Sequence, residues 1–387
     1  MKKALIFCGH RVPNAEPNAV RLINFALMLK ELGYETTLYG VDNVEEVMGC
    51  EKGVQYVQWS QTPGQGIVLR EKRKKEYFNH VKEVMSNTKD VSLVISVASV
   101  ETSRGNTYIR DFCKKNNVTF VQSLVEWYQL EQFGGVKRLH RWLHNEYLMR
   151  FDFSKTKKII AISSYLANYY IGKGCEAIVI PTMVDVEEYK DVFHSENQRI
   201  TIVYAGSPRR KDCILNAIFA LAKLKDDERV KFQFHIFGVS IKELADIGLK
   251  NDILNLLGDS FVVHGRIPYE DVKQHVANAD YTILLRHNTL NANAGFSTKV
   301  GESMACGTPV IANLTSDLHL YVKDGETGIV CKDESVEACI DAYRKILTIN
   351  LDDYNAMRVG AKKMAASGFN LKTHIRDLAN LIGEKYE

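Results

Sequence analysis

The chain is 387 residues long, 45% hydrophobic and 25% charged, with a formal net charge of +3; roughly twice the length of a typical domain, it predicts two domains. So small a charge gives no reason to expect nucleic acid as a partner. Eight cysteines without a Cys-x-x-Cys pair or adjacent histidine spacing argue against a disulfide framework and a zinc site.

Met1-Lys2-Lys3 precedes an apolar run that stops at Gly9-His10-Arg11, too short for a secretory signal, so residues 3–9 read as a first strand. Residues 19–32 place Leu22, Ala26 and Leu29 on one helical stripe with Ile23 and Leu27 beside it, ended by Gly33. A second strand follows at 35–39, and apolar runs at 54–59, 93–97, 119–124, 159–162 and 177–180 extend the same sheet. The longest apolar stretch, 91–100, contains serines and reaches about half a membrane span. A cytoplasmic protein is expected, in contact at most with the inner face of the cell membrane.

Residues 181–199 lose periodicity and read as a linker. The strand rhythm restarts at 200–204 and returns at 231–237, 261–264, 281–285, 309–312 and 329–331; from 335 the pattern is helical to the end. This alternation predicts an α/β fold of two Rossmann-like doubly wound domains, residues 1–181 and 199–370, with a last helix at about 371–387 that is a candidate to pack back on the first. Open parallel sheets bind ligands at the carboxyl ends of their strands, so chemistry is expected in strand-to-helix loops facing a central cleft.

In the first such loop of the second half, Tyr204-Ala205-Gly206-Ser207-Pro208-Arg209-Arg210-Lys211-Asp212 runs into a helix at about 213–224. A helix start offers unpaired N–H groups and a partial positive charge. Gly206 admits a close backbone, and Arg210 and Lys211 add cations suited to a pyrophosphate. The plainer alternative is a solvated basic turn capped by Asp212. The second loop, 286–312, passes from a strand end through a polar glycine loop and a short helix into the next strand. There Gly295, Phe296, Ser297 and Thr298 can present backbone amides to phosphate oxygens, Lys299 adds a cation, and Glu302, one turn on, can accept two ribose hydroxyls. A glycine inside a helix costs roughly 1 kcal/mol, so Gly301 and Gly307 suggest the close approach of something else.

In the first half, His10, Arg11, Asn18 and Arg21 follow the first strand and are candidates for the acceptor side; a solvated loop with a helix cap is the alternative. The basic runs 70–75 and 137–143 suit either an anionic membrane surface or a solvated helix face.

The stretch Gly295-Phe296-Ser297-Thr298-Lys299-Val300-Gly301-Glu302-Ser303-Met304-Ala305-Cys306-Gly307-Thr308-Pro309-Val310-Ile311 resembles the donor-site signature of glycosyltransferase family 4, retaining enzymes of the GT-B fold. Tyr204-Ala205-Gly206 with Lys211, Phe237-Gly238, Val263-His264-Gly265-Arg266 and Asp324-Gly325-Glu326-Thr327-Gly328 add to it, as do Ile160-Ala161-Ile162-Ser163-Ser164 and Ile180-Pro181. The likeness covers the second half well and the first loosely. It implies retaining transfer of a hexose-type sugar from a nucleotide-diphosphate sugar to a glycan or lipid-linked acceptor, in bacterial-type polysaccharide or glycoconjugate synthesis. It further implies that Lys211 and Arg210 hold the pyrophosphate and stabilise the leaving charge, that Glu302 binds ribose, and that Arg266 and Ile267 lie against the base. No cofactor is implied, and in the absence of an Asp-x-Asp motif the cations take the place of a metal.

Three positions depart from the family pattern. The first motif glutamate, eight positions before the second, is Ala294 here, which removes the usual carboxylate contact to the sugar. Gly9 stands alone where relatives often carry a glycine pair. The catalytic-region histidine has no equivalent; Glu126, in Val125-Glu126-Trp127-Tyr128, stands near its place and would orient the acceptor hydroxyl or stabilise a cationic anomeric carbon, unless it is a surface residue. Among rivals, Gly172-Lys173-Gly174-Cys175-Glu176-Ala177 matches the dinucleotide expression of nicotinamide enzymes. It follows a helix and precedes a strand, the reverse of the required order, and reads as a helix cap and turn. A nucleotide-sugar epimerase of the same architecture and a non-catalytic nucleotide-sugar-binding protein stay open on the residues alone.

Overall fold

Residues 2–13, 17–42, 46–64, 66–189, 198–208 and 211–386 are described by the computed structural model. Two units emerge: Met1–Met183 with Ala294–Phe296 and Leu371–Glu387, and Val184–Asn293 with Ser297–Asn370.

In the first unit the described strands are β1 (Lys2–Cys8), β2 (Tyr34–Asp42), β3 (Val47–Glu51), β4 (Val54–Ser60), β5 (Val91–Val97), β6 (Thr119–Leu124), β7 (Lys158–Ala161) and β8 (Glu176–Val179). They form one sheet in the order β3-β4-β2-β1-β5-β6-β7-β8. Five successive residues of β1, Ala4 to Cys8, are buried. That requires cover on both faces, which is why the strand reads as a continuous apolar run and not as an alternation. One face packs on α1 (Pro17–Glu31) through Leu22, Phe25, Ala26 and Leu29, with Leu378 and Leu381 from the C-terminal segment. The other packs on α2 (Ile67–Asn87) through Tyr77, Val81 and Met85 and on α3 (Ser103–Lys115) through Ile109 and Cys113. The unit is completed by α4 (Arg138–Tyr147) and α5 (Ser164–Ile171); Gly172 caps α5 and Gly174 turns at φ +74° before β8, the cap-and-turn reading of that glycine pair.

One strand was not expected. β3 runs antiparallel to β4 at the sheet edge, with Val47 and Met48 exposed; an edge strand without a buried run leaves little hydrophobic signal.

The second unit has β9 (Ile200–Ala205), β10 (Phe232–Phe237), β11 (Phe261–Gly265), β12 (Tyr281–Leu284), β13 (Val310–Asn313) and β14 (Gly328–Cys331), all parallel, ordered β11-β10-β9-β12-β13-β14. This is the strand order of the doubly wound dinucleotide fold, whose ligand crevice opens where the order reverses. Here that point lies between β9 and β12. Helix α6 (Ile214–Lys223) follows β9 and buries Ile214, Ala217, Ile218 and Leu221, a helical repeat pressed on the core. Among the described residues no helix is long and apolar enough to cross a membrane.

Candidate functional site

The two candidate donor loops meet at the reversal point. Asp212, from the loop after β9, and Arg286, from the loop after β12, form an isolated antiparallel bridge. The buried Asp212 carboxylate accepts from Lys299 Nζ at 2.5 Å, Arg286 Nε at 2.8 Å and the Tyr204 hydroxyl at 2.8 Å. Burial alone would raise this carboxyl, yet Lys299 and then Arg286 outweigh it and hold it down at about 2. Lys299 is pushed below the ordinary lysine value by burial, with Asp212 opposing. Its ammonium also donates to the Tyr204 hydroxyl at 3.0 Å and sits 4.2 Å over that ring. Asp212 therefore does not cap α6: Cys213 holds the cap position, without a side-chain bond.

Glycine at position 206 has a steric reason. A Cβ there would stand 2.5 Å from Lys299 Cε, and one on Gly238 would stand 2.8 Å from the Gly206 carbonyl oxygen. The lysine stem thus crosses bare backbone.

The Thr298–Ala305 helix carries Lys299 and Glu302 three residues apart, on one face. Both line a cavity with Ala205, Tyr189 and Tyr269. The Tyr269 hydroxyl donates to Glu302 Oε1 at 3.2 Å and lies 3.4 Å from that of Tyr189. Burial raises the Glu302 carboxyl, against the Tyr269 bond and Lys299. Ser297 heads the helix without a side-chain cap, so it leaves the first-turn N–H groups to other partners. What approaches Gly301 and Gly307 is the protein itself: a Cβ on the first would meet the Phe369 ring at 3.3 Å, and one on the second the Lys362 stem at 3.1 Å. Those glycines answer to packing and are no argument for a ligand.

The other expected residues are more scattered. Lys211 precedes Asp212, half-buried, and is not among the residues lining the cavity of Lys299 and Glu302. Arg210, like Arg209, lies outside the described residues. Ser207 is exposed; Arg266 is exposed and pairs with Glu243 at 2.5 Å, with Ile267 half-buried beside it. Ala294, Gly295 and Phe296 are buried and group with the first unit, where Ser163 Oγ donates to the Ala294 carbonyl at 2.8 Å.

In the first unit His10 is half-buried and its carbonyl accepts the Val41 N–H at 2.9 Å; Arg11 is exposed and pairs with Asp42 at 3.1 Å; Asn18 is half-buried in the first turn of α1. Arg21 is not in a solvated loop: it is 3% exposed, donates to the Pro181 carbonyl, stacks 4.7 Å from the Phe25 ring and is lowered to about 9 by burial. Glu126 is half-buried after β6, beside the buried Trp127, whose Nε1 donates to Glu146 at 2.7 Å.

Sequence reasoning missed Asp212, Arg286, Tyr189 and Tyr269. Arg286, a cation directly after an apolar strand, was the available signal for the first pair. Tyr189 was hidden by the linker reading: Val186–Tyr189 forms a 3-10 turn whose tyrosine is buried in the second unit, while 190–197 lie outside the described residues.

The two doubly wound units define a protein of tandem parallel-sheet α/β architecture. Residues 185–364 match the family model described as glycosyl transferases group 1. An uncharacterized glycosyltransferase of Methanocaldococcus jannaschii is 22% identical over 256 residues, which is 61% of this chain and 60% of that protein's length. Among solved structures, sucrose-phosphate synthase of Thermosynechococcus elongatus matches at TM-score 0.78 and 15% identity over 98% of both chains. Anabaena HepE, in complex with UDP and glucose, matches at TM-score 0.68 and 14% identity over 99% of this chain and 100% of that one. The likeness to the solved structures shows the GT-B fold.

Proposed function

We propose that this chain is a retaining glycosyltransferase that moves a hexose-type sugar from a nucleotide-diphosphate donor, held by the second unit, to an acceptor hydroxyl in polysaccharide or glycoconjugate synthesis. One observation carries the reading: within the stretch that matches the group 1 family, Lys299 and Arg286 converge on Asp212 at the sheet's reversal point. Breaking the anomeric C–O bond builds negative charge on the departing diphosphate, and preorganised cations stabilise it without rearranging. Asp212 holds both cations in place while no donor is bound; a diphosphate would compete for them. Lys211 and Arg210, from the same loop, would add charge, the Thr298 helix start would add N–H groups, and Glu302 would take the ribose. Glu126 is the catalytic candidate from the first unit, to orient the acceptor hydroxyl or stabilise a cationic anomeric carbon. With that much fixed positive charge, transfer is expected to proceed without a divalent ion.

The donor test is a thermal-shift panel of UDP, GDP, ADP and CMP derivatives, since a ligand of the folded state raises its apparent stability. A UDP-sugar is tried first because HepE was solved with UDP and glucose. Glu302→Gln is expected to weaken the nucleotide that binds about tenfold, the worth of one charge-assisted hydrogen bond. Failure of every nucleotide to shift the protein would sink the reading, and a new nucleotide sugar formed without acceptor would replace transfer by epimerisation.

Peripheral contact with an anionic membrane is a further part of this reading. Val136, Leu139, Leu143, Tyr147 and Phe151 are all exposed and recur along one side of α4 and its flanks, with Lys137 and Arg138 beside them. An exposed apolar stripe bordered by cations suits a lipid interface.

A further inference from the structure

The geometry of the first unit points to a second anion site: a cavity at the reversal point of its sheet that takes the phosphate of a phosphorylated acceptor. Its role as an acceptor site rests on the transferase reading; its affinity for phosphate does not. β1 has β2 on one side and β5 on the other, so the loops after β1 and β5 part and leave a crevice at the carboxyl ends of the strands. Gly9 from the first loop and Glu101 and Thr102 from the second line a cavity there, together with Arg70, Arg73 and Lys74 of α2 and Arg141 of α4. A Cβ on Gly9 would lie 2.6 Å from Thr102 Cγ2, so bare backbone meets the threonine at the strand end.

Charge distinguishes this cavity. Arg70, Arg73 and Lys74 fall at i, i+3 and i+4 and share one helix face, where like charges repel. Glu71 takes Lys74 at 2.8 Å, and Glu101 takes Arg141 at 2.9 Å. No ion pair joins Arg70 or Arg73 to a carboxylate among the described residues, and Arg141 Nε is buried without a hydrogen bond. His144, on the next turn of α4, is pushed below its ordinary value by burial and then by Lys74 and His140. A phosphate ester supplies what this arrangement lacks, charge and oxygens that match guanidinium forks. A neutral sugar does not.

The phosphate can belong to a soluble sugar ester or to a lipid carrier, and titration calorimetry of the full chain in excess UDP separates them. The probes are glucose 6-phosphate, farnesyl diphosphate and glucose, against the wild type and Arg70→Ala/Arg73→Ala, with circular dichroism to establish that the variant is folded. At least one phosphorylated probe is expected to bind and glucose not to. The double variant should lose about tenfold for each charged hydrogen bond removed, and Arg73→Lys should fall between. Binding of glucose 6-phosphate alone assigns a soluble ester; tighter binding of farnesyl diphosphate assigns a lipid carrier. No phosphorylated ligand bound, or equal binding by the folded double variant, overturns the site. If the phosphorylated probes bind in this manner while no nucleotide diphosphate binds anywhere, the transferase reading fails and the cavity stands.

Discussion

Asp212 is the residue on which the donor side turns. Its side chain is 4% exposed and holds two cations, so Asp212→Asn leaves Lys299 and Arg286 facing each other with the compensating charge gone. Removing one member of a buried ionic group typically costs about 3 to 5 kcal/mol, and chemical denaturation of the unliganded variant should show a loss of that order. An unchanged midpoint would mean the network carries no stability. The sign with pH follows from the depressed carboxyl. The contribution is complete above the unfolded value of 3.8 and is lost as pH falls through about 2. Glu302 differs in sense: its raised carboxyl is a cost of burial, relieved as acid protonates it.

Two elements carry predictions of their own. At the β10–β11 edge, His235 Nδ1 and His264 Nε2 lie 2.8 Å apart, and Phe237 stacks on His264 at 4.2 Å and on His275 at 4.5 Å. Burial, then His264 and His275, lower His235 to about 4. A lowered histidine stabilises the fold above its unfolded value of 6.5, and that stability drains away as pH falls toward about 4. Melting temperature should therefore drop across this window, and His235→Asn should flatten part of the drop; an identical profile in the variant would remove His235 as a cause. On α4, Leu139→Asp/Leu143→Asp should reduce sedimentation with anionic vesicles at low salt while leaving the melting temperature within a degree or so, because both side chains are exposed. Wild-type protein that stays in the supernatant at low salt would end the membrane proposal.

At the scale of the whole chain, two units with separate cores can be followed separately. Hydrogen exchange with UDP bound should slow amides in 200–208 and 286–302, and slowing confined to the first unit would place the nucleotide elsewhere. Strand runs were legible because fully buried parallel strands are continuous apolar words, as in Ala4 to Cys8; the exposed edge β3 was not, having no buried face to write into the sequence. The donor loops were legible as glycines and cations after strands. Their pairing was not: Asp212 and Arg286 are 74 residues apart, and nothing local tells a buried carboxylate from a helix cap. By itself the sequence determined the α/β class, the likeness of 295–311 to a donor site and the candidates Lys299 and Glu302. Only tertiary structure decided that Lys299 is tied to Asp212 and Arg286, that Gly301 and Gly307 serve packing, and that four cations from α2 and α4 gather around Gly9. The physical reason is common to all three: local pattern reports which stretches are apolar, but what a given side chain or bare glycine meets depends on chain segments that only folding brings together.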